Sequence, residues 1–123
     1  MTRKIVFIVF ALISGFSIPA KADPEFTGKY LMSMCAQDES GRELVRGGHT
    51  ACQAYIAGIL DYHALIKSLG TAPGIDFCVP DRASMNEVHK RVQSYVLKNS
   101  KQHSHFIAAP AVALGLHDAY PCP

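Results

Sequence analysis

The sequence predicts an all-α protein, a small antiparallel helical bundle of four to five helices stapled by two disulfides. Three observations predict it. Apolar residues recur at steps of three and four through several stretches, with no convincing strand between them. Residues that start and stop helices flank those stretches. Four cysteines in a chain of 123 residues supply covalent support that one small core needs. The length admits a single domain.

Thr27 can cap a first helix over Gly28–Ala36, with Phe26, Tyr30 and Met34 at spacings of four along one side. Polar residues Gln37–Arg42, including Gly41, then make a loop. The longest helix runs from Glu43 or Arg46 to Leu69, with Gly70 as its natural C-cap. Cys52, Ile56, Ile59, His63 and Ile66 follow steps of 4, 3, 4 and 3 and share one stripe, which faces the core. Tyr55, Leu60, Tyr62 and Leu69 widen that stripe, so this helix is expected at the centre of the bundle. Gly58, in mid-helix, costs about 1 kcal/mol relative to alanine and points to another backbone passing close.

Thr71-Ala72-Pro73-Gly74 is a turn-forming connector leading to Phe77-Cys78-Val79-Pro80. Ser84-Met85-Asn86-Glu87 reads as a capping box that opens a third helix, with Met85, Val88, Val92, Tyr95 and Val96 on its apolar face. Asn99 is a candidate left-handed terminator, and Ser100–His105 a polar connector. A last helix carries Ala109, Val112, Ala113, Leu116, Ala119 and Tyr120 on one face and stops at Pro121. Pro110 either lies at its start or kinks it.

Antiparallel packing pairs the cysteines. Cys35 ends the first helix and Cys52 lies early in the second, so a hairpin brings them together. Cys78 precedes the third helix and Cys122 follows the last, and their helix ends lie side by side, giving Cys35–Cys52 and Cys78–Cys122. The gaps of 17, 26 and 44 residues are unlike the close ligand pairs of zinc sites.

Residues 1–22 read as a signal peptide. Arg3 and Lys4 form a cationic start, residues 5–16 are an apolar run too short to cross a bilayer, and Pro19 breaks it. Ala20-Lys21-Ala22 presents small residues where a signal peptidase reads, so cleavage is expected before Asp23. The domain proper is then residues 23–123, with nine Lys/Arg against ten Asp/Glu and a net charge of −1. Its only adjacent basic pair is Lys90-Arg91, which argues against nucleic acid; removal of the leader leaves no membrane span.

No residue set points to catalysis, a metal or another cofactor. His103-Ser104-His105 would put two imidazoles on one side only if extended, and no carboxylate or cysteine stands near in sequence. His63 lies on the apolar stripe and reads as a hydrogen-bonded core histidine. There is no G-x-S-x-G, and the thiols are taken up by disulfides. Asp61 sits about 180° around the helix from Cys52, at 3.6 residues per turn, either as a solvent-facing acid or as a buried or interfacial acceptor.

Cys52-x2-Tyr55-x2-Gly58-x2-Asp61, then Cys78-Val79-Pro80, then Tyr120-Pro121-Cys122, follow in that order behind an export signal. Together they resemble the Rap1a/Tai family of type VI secretion immunity proteins. The resemblance implies a small helical periplasmic protein that binds and inhibits a peptidoglycan amidase effector, is not itself an enzyme, and in some members forms a homodimer. It marks Tyr55, Gly58, Asp61, Pro80 and Tyr120 as the structural motif around the cysteines. The chain departs from the family at Pro110, and at Gly115, where alanine is usual. The partner-binding residues carry no motif; the connectors Gln37–Arg42, Thr71–Asp76 and Lys98–His105 are candidates. The alternative is a periplasmic acid-stress chaperone of the HdeA type, in which six histidines would add up to about six positive charges near pH 5. Such chains typically have one disulfide rather than two.

Overall fold

A computed structural model describes residues 26–123; the leader and its cleavage position lie outside them. Among the described residues there are five helices and no named strand: α1 (Gly28–Cys35), α2 (Gly48–Ser68), α3 (Met85–Lys98), α4 (Ser100–His103) and α5 (Ala108–Ala119). The disulfides pair Cys35 with Cys52 and Cys78 with Cys122, as the antiparallel arrangement requires.

The Thr27 hydroxyl accepts the Tyr30 N–H at the start of α1. The second helix begins later than its periodicity suggested. Gly47 adopts φ 76°, a left-handed conformation that a helix interior cannot contain, and the Glu43 carboxylate caps from outside, accepting the Gly47 and His49 N–H groups at 2.8 and 3.0 Å. Its other end follows the sequence. Gly70 at φ 73° bonds back to the Lys67 carbonyl and Thr71 N–H to that of Ile66, a complete Schellman closure.

Half of the predicted capping box forms. Ser84 Oγ accepts the Glu87 N–H at 3.2 Å, but the Glu87 carboxylate turns outward to Arg91, one helical turn on. Asn99 is not left-handed. Its φ is −105°, and its backbone and side-chain N–H groups both donate to the Tyr95 carbonyl, so α3 passes through a brief irregularity into the single turn of α4. The expected polar connector is therefore partly helical. Pro110 is the third residue of α5, where its missing N–H would have no helical partner anyway, and neither break nor kink follows.

The centre of the bundle is α5 rather than α2. Ala108, Ala111, Val112 and Leu116 are fully buried, and they close on Val88, Val92 and Val96 of α3 and on Leu31 of α1. Gly115 lies where a Cβ would come 3.2–3.4 Å from the Tyr95 ring, so alanine there would press on that ring. In α2 the predicted stripe holds, with Cys52 and Ile56 buried and Ile59, His63 and Ile66 half-buried. The widening fails: Tyr62 and Leu69 are 63% and 73% exposed, because α2 runs on past the end of its neighbours. No helix among the described residues is long and apolar enough to cross a membrane.

Candidate functional site

The segment between Cys35 and α2 is the most elaborated connector. Ala36 leaves α1 in an extended conformation, and a short hairpin follows: Leu44 N–H donates to the Ala36 carbonyl, Asp38 N–H to that of Arg42, and Gln37 faces Glu43. Gly41, at φ 81°, completes the turn with its N–H on the Asp38 carbonyl. Two carboxylates brace it from within. Asp38 accepts Ser40 N–H and Oγ–H, Arg42 N–H and Arg42 Nε–H at 2.6–3.0 Å, and these bonds, led by the Ser40 hydroxyl, hold it below the ordinary aspartate range. Glu43 is lowered likewise, first by the Gly47 N–H and then by His49 N–H. The Cys35–Cys52 disulfide closes the base of the loop, and the Gln93 amide donates to the Cys35 carbonyl at 2.6 Å. At the far junction, Gly48 lies where a Cβ would collide with the Met34 carbonyl.

Beneath this base sits His89, among the described residues the one polar residue of the core. Its Nε2 lies 3.3 Å from Cys52 Sγ; a disulfide sulfur can only accept, so Nε2 carries the proton and Nδ1 is left without a partner. Burial, then the neighbouring His49 and Lys90, lowers the His89 pKa and keeps the ring neutral. His49 packs against it at 4.8 Å between ring centroids and is held on either nitrogen by Gln37 and Gln53. Cys35, Cys52 and His89 cluster within 4.8 Å, yet both sulfurs are in the disulfide, which leaves a single imidazole as ligand. Sequence reasoning passed over His49 and His89; their spacings to Cys52, three residues before and 37 after, carry no known motif.

A second constellation joins α2 to the Thr71–Asp76 connector. His63 Nε2 donates to Asp76 Oδ1 at 2.8 Å and the ring stacks on Phe77 at 3.8 Å, as a hydrogen-bonded core histidine should. Burial alone would raise the Asp76 carboxyl, but bonds from His63, Lys67 and the Phe77 N–H bring it below its ordinary value. His117 from α5 donates to the Asp76 carbonyl at 2.6 Å. Beside it runs an apolar groove of about 360 Å³, lined by Ile59, Tyr62, Ile66, Pro73, Ile75 and Pro110 among others. Lys90, Arg91, Ser94, Lys98 and Asp118 border a separate, open polar groove of about 570 Å³.

The motif residues around the cysteines do not meet at one place. Tyr55 is half-buried, stacked on Phe26 at 4.5 Å, and its hydroxyl pKa is raised by burial. Tyr120 is buried under the Arg91 guanidinium, 5.5 Å from its ring centre, with its hydroxyl unpartnered; burial, then Glu87, raises its pKa. Its backbone carbonyl accepts the Cys78 N–H at 2.8 Å, which ties the two halves of the second disulfide together. Pro80 is exposed in the turn before α3. Asp61 is exposed and solvent-facing. Gly58 is the clear correction: a Cβ there would meet nothing within 4 Å, because it lies on the open face of α2 where no backbone of the described residues passes.

Compared with known proteins, the chain matches the family profile described as Rap1a immunity proteins over residues 27–122. Neither the search of curated proteins nor that of solved structures found a match. The profile begins at the residue that caps α1 and ends at the cysteine that closes the second disulfide, so it takes in all five helices and both bridges. This chain belongs to the Rap1a family of immunity proteins.

Proposed function

We propose that the protein is exported, loses residues 1–22 before Asp23, and in the periplasm binds and inhibits a peptidoglycan amidase delivered by type VI secretion. The observation that carries this reading is the family match over residues 27–122. The structure supports a binding role in two ways. Both disulfides brace a scaffold that loses little conformational entropy on association. Three of its six histidines are also engaged structurally: His63 on Asp76, His49 between two glutamines, and His89 inside the core. The open face of α2, with Tyr62, Leu65 and Leu69 exposed, supports a homodimer formed through it, and sedimentation of the purified chain tests that.

The decisive experiment directs a candidate peptidoglycan amidase effector to the periplasm, with and without this chain. Restored growth and co-purification of the two proteins are expected. Continued lysis together with no complex would remove the immunity reading for that enzyme. The chaperone alternative keeps one supporting observation, a buried neutral histidine that acid would charge; suppression of client aggregation at acidic pH is its assay.

A further inference from the structure

We propose that the chain in its dithiol form, before the Cys35–Cys52 bridge closes, binds one zinc ion through Cys35, Cys52 and His89, with His49 as the fourth ligand. The site is independent of the immunity reading.

Three helices bring the donors together. Cys35 ends α1, Cys52 lies in the second turn of α2, His89 lies in the second turn of α3, and one ligand atom from each falls within 4.8 Å of the others. The tightest edge is already of the right length. Zinc–sulfur and zinc–nitrogen bonds of about 2.3 and 2.0 Å at a tetrahedral angle set sulfur and nitrogen about 3.5 Å apart, and His89 Nε2 stands 3.3 Å from Cys52 Sγ. The two sulfurs must part to about 3.8 Å by the same geometry. With their Cα atoms 5.4 Å apart, side-chain rotation achieves that, and an apolar cavity of about 10 Å³ beside Cys35 and Cys52, bordered by Leu31, Met32, Ile56 and Val92, gives a sulfur space to move into.

His49 is placed to complete the set. It precedes Cys52 by three residues on α2, so the two share a face, and its ring centre lies 4.8 Å from that of His89. Two imidazoles on one zinc have ring centres about 5 Å apart. Gln37 and Gln53 hold its two nitrogens, and His49 gives up one of those hydrogen bonds for the metal. Charge selects the ion. Cys35, Cys52 and His89 are buried, and two thiolates with a divalent cation sum to zero, whereas a cuprous ion would leave a buried negative charge.

The thiols are those of the chain as synthesised, or are regenerated by a dithiol that supplies two electrons and two protons and closes to its own disulfide. On binding, both thiol protons leave to solvent, two zinc–sulfur and two zinc–nitrogen bonds form, and His89 moves its proton from Nε2 to Nδ1, the nitrogen without a partner. The ion would then hold α1, α2 and α3 together until the bridge takes its place.

The experiment uses the chain carrying Cys78→Ser/Cys122→Ser, so that only the buried pair responds, reduced by a dithiol, freed of it and titrated without oxygen with zinc against a chromophoric chelator. One zinc per chain is expected, and X-ray absorption at the zinc edge should read two sulfurs and two nitrogens. His89→Leu should weaken binding by about 100-fold or more, since loss of a residue that merely supports a ligand already costs about 10–100-fold, and His49→Leu by about 10-fold as water replaces it. The same reduced chain in concentrated urea separates a folded site from loose thiols without any substitution at the ligands: its affinity should fall by about 100-fold. Equal affinity in urea, unchanged affinity in His89→Leu, or an absorption spectrum lacking nitrogen ligands overturns the assignment.

Discussion

Removing the disulfides one at a time should reverse the order that loop length alone predicts. Chain entropy assigns about 3 kcal/mol to closing the 17-residue separation of Cys35 and Cys52, and about 4 to the 44-residue separation of Cys78 and Cys122. The first bridge, however, is also core. Cys35 and Cys52 are 4% and 1% exposed, whereas Cys78 is exposed and Cys122 half-buried. Deleting two buried sulfurs adds about 1 kcal/mol each, by analogy with a buried methyl, so Cys35→Ala/Cys52→Ala should cost about 5 kcal/mol against about 4 for Cys78→Ala/Cys122→Ala. It also takes from His89 its one partner, which adds to the difference. Equilibrium urea unfolding at pH 7.5 with matched denaturant series measures both. If the Cys78/Cys122 variant proves the less stable by a kilocalorie or more, the first bridge is not acting as core packing and the reasoning fails.

Other perturbations have signs set by the same geometry. His89 is depressed below its unfolded value of about 6.5, so its contribution is intact above that pH and declines as pH falls through it, by up to about 1.4 kcal/mol per pH unit; His89→Leu should flatten the stability profile between pH 7 and 5. Asp38, Glu43 and Asp76 are depressed too, and their stabilisation should disappear only below about pH 4, a second step visible in acid titration by circular dichroism. Gly48→Ala should destabilise by about 2 kcal/mol or more, since its Cβ meets the Met34 carbonyl, whereas Gly58→Ala should raise the melting temperature by removing about 1 kcal/mol of helix penalty. A loss at Gly58 would instead mean that another molecule covers that face. Leu116→Ala should cost about 2–5 kcal/mol by thermal unfolding, because the side chain is fully buried in the core.

What was legible in the sequence is what local chemistry determines. Thr27, Ser84 and Gly70 act where their types dictate, because caps depend on a few neighbouring residues. Both disulfides followed from helix order alone. The errors arose where a distant partner decides. Periodicity could not show that α2 outruns its neighbours, which is why Tyr62 and Leu69 looked like core and Gly58 like a crossing point. Glu43 looked helical because its bonds to the start of α2 come from outside the helix. The hairpin's bracing was equally hidden: Gln37–Arg42 reads as polar coil until Asp38 is seen to bond four ways.

That the innermost helix is also the last in the sequence bears on how the chain reaches its native state. Synthesised N-terminus first, α1, α2 and α3 emerge before the α5 surface that completes the cover over Val88, Val92 and Val96. The faces that α1, α2 and α3 offer one another can meet early, but the core stays open on one side until residues 108–116 arrive to close it. During that interval the unfinished chain depends on whatever holds it apart from its neighbours.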